Sequence, residues 1–286
     1  MTHHDHHDDF GGLHRDLAAT GAAIDRRGLF RLAARIGGAV GAFHLIGCGD
    51  SPTSPTAVST TAASTTTTTP PTTTNPTPST CGRIPEETQG PFPGDGSNGP
   101  NVLSASGVVR NDIRTSFAGL SGTADGVPLT IVLNIVSAST CAPLAGRAVY
   151  LWHCDRLGRY SLYSQGVTNQ NYLRGTQEAD ANGRVTFTSI YPGCYAGRWP
   201  HIHFEVYPSL SAATNVANRV ATSQIALTKD TADLVYASTG YDGSARNLSQ
   251  ISLATDNVFS DGSSLELATV TGSVAGGYTA MLTVAV

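Results

Sequence analysis

The sequence predicts an all-β fold: a β-sandwich core with long active-site loops, preceded by a signal segment and a disordered stalk. Three observations carry that reading. Short runs rich in β-branched and aromatic residues recur through 81–286, clusters of Gly, Pro, Asn and Asp separate them, and no long segment has a helical period. The runs are 129–138 (LTIVLNIVSA), 147–153 (RAVYLWH), 184–190 (RVTFTSI), 201–207 (HIHFEVY), 222–228 (TSQIALT), 265–272 (LELATVTG) and 278–286 (YTAMLTVAV). Turn signals such as ADGVP, APLAG, DANG and YPG lie between them. Many short strands punctuated in this way favour a sandwich or a barrel. The stretches 86–127 and 229–262 are long for loops, and long loops on a rigid β scaffold are where sites tend to lie.

Residues 1–48 read as an export signal. Asp25-Arg26-Arg27-Gly28-Leu29-Phe30 is a twin-arginine pattern, and a mildly apolar run from Ile36 to Gly47 follows it. Leu45-Ile46-Gly47-Cys48 resembles a lipobox, in which the cysteine is acylated. His44 interrupts that apolar run, and a short amphipathic N-terminal helix is the alternative; HHDHHDD at 3–9 belongs to the leader. Residues 49–80 form a linker: 25 of the 30 residues from 51 to 80 are Ser, Thr or Pro and none is charged. Such a segment has nothing with which to build a core and acts as a semi-extended tether. The expectation is an exported chain, lipid-anchored through Cys48 on the outer face of the cytoplasmic membrane or secreted, with membrane contact through that anchor alone. In an oxidising compartment Cys81, Cys141, Cys154 and Cys194 form one or two disulfides, and the sequence does not choose among the three pairings.

A net charge of −4 and no basic stripe argue against a nucleic-acid partner. No uninterrupted run of 18 apolar residues suggests a spanning helix.

Histidine is scarce beyond the linker: His153, His201 and His203. In a strand, His201 and His203 point to one face, about 7 Å apart along the backbone, which suits one transition metal. A zinc site of three histidines needs another imidazole, and no histidine follows His203. A cupin-type site needs a downstream Glu where Tyr207 and Pro208 stand, and an amidohydrolase-like site needs a βα barrel. His153, beside Trp152, reads as packed rather than ligating. The remaining ligands are then oxygen, and tyrosines crowd the neighbourhood: Tyr160, Tyr163, Tyr172, Tyr191, Tyr195 and Tyr207. A phenol titrates near pH 10, so a phenolate at neutral pH needs a strongly Lewis-acidic ion such as ferric iron. Spacing alone leaves open which tyrosines ligate.

These residues resemble the intradiol ring-cleaving dioxygenases, the family that includes catechol 1,2-dioxygenase and protocatechuate 3,4-dioxygenase. The resemblance runs through ETQGPFPGDG (87–96), LAGRAVYLWHCDRLGRYS (144–161), RGTQEADANGRVTFTSIYPGCYAGRWPHIHFEV (174–206) and the SQ at 223–224, and the exported form is most similar to a secreted branch. It implies a mononuclear non-haem Fe(III) held by Tyr160, Tyr195, His201 and His203. By the same resemblance Tyr195 is the ligand that leaves when a catecholate chelates the iron. Arg198 stabilises charge on the substrate ring, and Gln224 lies near the oxygen pocket. The partners implied are a catechol-type substrate and O2, and the product is a cis,cis-muconate-type diacid. Gln89 and Phe92 stand where relatives often carry Glu and Tyr, and Trp199 is bulky for its place; both departures could alter the substrate mouth, and neither removes a ligand. The rival is a surface-tethered β-sandwich module that binds aromatics or carbohydrate without turnover. The full set of two Tyr, two His and Arg198 separates the two, because a binding module has no need of it.

Overall fold

The computed structural model describes residues 81–286; the export signal, the linker and the Cys48 anchor lie outside the described residues. Eight strands form within them: β1 (Pro128–Val136), β2 (Ala148–Trp152), β3 (Arg174–Glu178), β4 (Arg184–Ile190), β5 (His201–Tyr207), β6 (Ala221–Ala226), β7 (Thr269–Ser273) and β8 (Gly277–Ala285). They make two four-stranded sheets, ordered β4-β1-β8-β7 and β3-β2-β5-β6. The β1–β8 pair is parallel and the other ladders are antiparallel. This is the expected all-β sandwich.

Alternation along the strands builds the core. Leu129, Ile131, Leu133 and Ile135 of β1 face inward with Val185 and Phe187 of β4, against Val149 and Leu151 of β2 and Ile202, Phe204 and Val206 of β5. Each such side chain taken fully out of water contributes about 1.5–3 kcal/mol. The second sheet departs from the usual polar outer face: all seven residues of β5 are buried, and so are all of β2 and β6. A second apolar layer covers it, in which Val102, Leu103, Val108 and Phe117 of the long 86–127 loop pack on Tyr150, Trp152 and Tyr207. Polar side chains on that face of β5 are therefore dry.

Three expectations need correction. Strand β3 was not anticipated, because RGTQE has neither alternation nor β-branched content beyond Thr176; it exists through its ladder with β2. The 265–272 run shortens to Thr269–Ser273, with Leu267 making only an isolated bridge to Ala226. The 229–262 stretch holds helices α1 (Lys229–Tyr236) and α2 (Ser244–Leu248), each too short for a period to show.

A disulfide joins Cys81 to Cys141 with a Cα–Cα distance of 5.3 Å, while Cys154 and Cys194 are free and buried. It closes a loop over a sequence separation of 60 residues. Replacing both cysteines by serine should lower stability by about 2–4 kcal/mol, chiefly by freeing the unfolded chain. Urea unfolding of the variant against the wild type, each with and without reductant, checks this; coincident curves would mean the closure contributes nothing.

Candidate metal centre

The register of the second sheet sets the centre. Trp152 of β2, His203 of β5 and Gln224 of β6 are cross-strand partners and share one face. His201 lies two residues along, so both imidazoles emerge side by side beneath the covering loops, each 2% exposed. Their Nε2 atoms are 3.1 Å apart.

The two tyrosines arrive on loops tied down at several points. After β2 the chain turns around Asp155, whose carboxylate accepts the N–H groups of Leu157 and Arg159, the Arg159 guanidinium and the Tyr172 hydroxyl. That turn delivers Tyr160, whose N–H donates to Ser164 Oγ. Tyr195 follows Cys194, whose N–H donates to Ser244 Oγ and whose carbonyl accepts from Asn247 Nδ2, so α2 holds it in place. Tyr160 Oη lies 3.3 Å from His201 Nε2, 3.2 Å from His203 Nε2 and 3.5 Å from Tyr195 Oη. Tyr195 Oη lies 3.2 Å from His201 Nε2. The other four tyrosines have their hydroxyls engaged elsewhere: Tyr163 with Gly94 and Asn98, Tyr172 with Asp155, Tyr191 with Thr231, Tyr207 with Glu205. Of the six tyrosines named from the sequence, Tyr160 and Tyr195 bring their hydroxyls to the imidazole pair.

The donor chemistry fits a ferric ion. His201 Nδ1–H donates to the Trp199 carbonyl at 2.5 Å, which leaves the Nε2 lone pair aimed at the cluster. Burial drives both imidazoles well below their ordinary titration range, helped at His201 by the Arg198 charge and at His203 by His201, so both are neutral. Burial likewise pushes the Tyr160 phenol well above its ordinary value, so deprotonation needs a strong Lewis acid at the oxygen. Five donor–donor separations lie between 3.1 and 3.5 Å, a spacing that suits a small cation. Among the described residues no three His, Cys, Asp or Glu side chains gather as an alternative site.

Residues 98–231, which include all four donors, match the family model Dioxygenase_C, described as a dioxygenase. The match over these residues supports the intradiol dioxygenase family. An intradiol ring-cleavage dioxygenase from Tetranychus urticae is similar over 72% of this chain and 94% of its own, with 24% identity and a TM-score of 0.56. A second dioxygenase crystal structure has the same coverage, 25% identity and a TM-score of 0.57.

The remaining residues of this dioxygenase site fall into place around the donors. Arg198 is buried, with Nη1 3.5 Å from His201 Nε2, Nη2 donating to Gln224 Oε1 at 2.7 Å and Nε 3.1 Å from Asp256 Oδ2. Gln224 in turn donates to the Thr88 carbonyl, tying the 88–98 strap to the site. Gly90 has φ +68°, and a Cβ there would meet His203 Cε1 at 3.2 Å, so both backbone angle and clearance require glycine. Phe92 packs on Tyr160 at 4.8 Å between ring centroids. Trp199 is buried in the core with its indole N–H on the Leu227 carbonyl. Gln89 folds back onto Ser97 of its own strap.

Sequence reasoning missed Asp256 and Arg174. The fully buried Arg174 donates to the Ser161 carbonyl and hydroxyl and to the Pro93 carbonyl, joining the Tyr160 loop to the strap. His153 stays outside the cluster as expected, its Nδ1–H donating to the Cys154 carbonyl and its Nε2 accepting from Ser189 Oγ. Burial lowers it from 6.5 to about 4. The unfolded chain therefore takes up that proton first. The stabilisation is complete above pH 6.5 and is lost as pH falls from 6.5 to about 4, about 3 kcal/mol in all. Unfolding of wild type and His153→Gln at pH 7 and pH 4.5 should show the smaller pH loss in the variant; equal losses would remove His153 as a source.

Proposed function

We propose that this chain is a non-haem Fe(III)-dependent intradiol dioxygenase that opens catechol-type rings with O2 to cis,cis-muconate-type diacids. The observation that carries the proposal is the convergence of two phenols and two neutral imidazoles on one point, beside a buried guanidinium. Tyr160, Tyr195, His201 and His203 are the residues that would hold the iron. Bound there, Fe(III) supplies the Lewis acidity that keeps the substrate as its catecholate and activates the ring towards O2. Tyr195 is only partly buried whereas Tyr160 is fully buried, so Tyr195 is the phenol with room to move aside. Its Oη would then be placed to take one of the catechol protons. Arg198 presents Nη1 to the donor cluster from a dry site, where a fixed positive charge acts strongly on negative charge developing in the ring. Gln224 keeps that guanidinium in plane, and the strap over His203 excludes water from one side. The proposal includes export and attachment through Cys48, which rest on the leader pattern and the lipobox-like tetrapeptide.

The test is the visible absorption of the iron-loaded chain before and after anaerobic addition of catechol, followed by product analysis once O2 is admitted. A broad tyrosinate-to-iron band that moves to longer wavelength, and then a ring-opened diacid, is the expected result. A chain that stays colourless with iron would instead favour a binding module.

A further inference from the structure

We propose that Asp256 is the positioning residue that aims Arg198 at the donor cluster; this rests on the function proposed above and assigns it a further residue. Asp256 lies in the stretch between α2 and the Phe259–Asp261 turn, beyond the residues that match the family model. Both members of the pair are buried, at 1% and 0% side-chain exposure. A guanidinium carried into a dry interior is unfavourable unless an anion stands beside it. Asp256 Oδ2 supplies that anion at 3.1 Å from Nε and also accepts the Trp199 N–H at 2.7 Å, which fixes the backbone next to Arg198.

The division of labour between the two oxygens matters. Oδ1 accepts the N–H groups of Val258 and Phe259 and so closes the local turn, whereas Oδ2 serves Arg198 and its neighbour. With Asp256 on the Nε edge and Gln224 on Nη2, the planar fork is held from two sides. Nη1 is left towards His201 Nε2 and the cluster. A carboxylate that only capped the turn would need Oδ1 alone.

The experiment compares four iron-loaded full-length chains: wild type, Asp256→Asn, Arg198→Ala and the double variant. Asp256→Asn keeps an oxygen for the turn and removes the charge. Its iron content should match wild type while kcat falls about 10- to 100-fold, with KM for catechol little changed. Its tyrosinate-to-iron band should shift in the direction seen in Arg198→Ala. The double variant should have the band and turnover of Arg198→Ala alone, because a residue acting through Arg198 has nothing left to act on. Where the alanine variant does not fold, Arg198→Gln takes its place. An Asp256→Asn chain with wild-type band and turnover, loss of its iron, or losses that multiply in the double variant would each overturn the assignment. If wild type binds iron but turns over no catechol, the function is wrong and the four bands alone still decide Asp256. A wild type that takes up no iron overturns both.

Discussion

Tyr160→Phe is expected to strip the chain of iron while leaving its fold standing. The substitution removes one oxygen and keeps a ring that packs at 4.8 Å from Phe92 and edge-on to His203. That oxygen lies within 3.5 Å of the other three donors, so its loss opens a corner of the set that no other described phenol is placed to fill. Iron per chain after passage through a chelating buffer should fall by about tenfold or more; removing even an outer partner of a metal ligand typically costs that much. The metal-free variant should melt close to the metal-free wild type, because the ring packing is kept and the hydroxyl's contacts, at 3.2–3.5 Å, are at or beyond the long end for hydrogen bonds. An unchanged iron content would remove Tyr160 from the ligand set.

Arg198→Ala should give the largest loss of turnover with iron still bound. The four donors are expected to stay in place, because the Arg198 Nη1 contact to His201 Nε2, at 3.5 Å, is too long to hold the imidazole. What disappears is a buried positive charge facing the reacting ring, and removal of one such stabilising group lowers kcat by about 10²–10³-fold. Stability should fall as well, by about 3–5 kcal/mol, because Asp256 is left as a buried charge without its partner. Steady-state kinetics on iron-replete protein, paired with urea unfolding of the same sample, separates the two effects. Unchanged turnover would take Arg198 out of the mechanism.

Much of the fold was legible because β-branched runs such as LTIVLNIV and RVTFTSI are dictated by one buried face, and β1 and β4 follow them nearly residue for residue. The His201/His203 pair was legible for the same reason, since a period of two puts both on one face. The dryness of that face was not. It depends on Val102, Leu103 and Phe117 in a loop without regular structure, and no local pattern says where such a loop will lie. Asp256 was invisible for a related reason. It is one acidic residue in a polar stretch, and its value comes from meeting Arg198 across 58 positions of chain. Arg174 carried no local signal either, because its partners are carbonyls 13 and 81 residues away.

The bond between Cys81 and Cys141 also decides where a pull on the chain would be felt. Cys81 lies only a few residues before the strap from Thr88 to Asn98 that roofs the donor cluster. Tension arriving from the N-terminal side is passed through the sulfur bridge to the turn that follows β1. From there it enters the β1–β8 ladder, whose hydrogen bonds share a load along their whole length. The bridge is thus a strain relief, like the clamp on a cable ahead of a connector, and the roof of the site sits on the unloaded side of it.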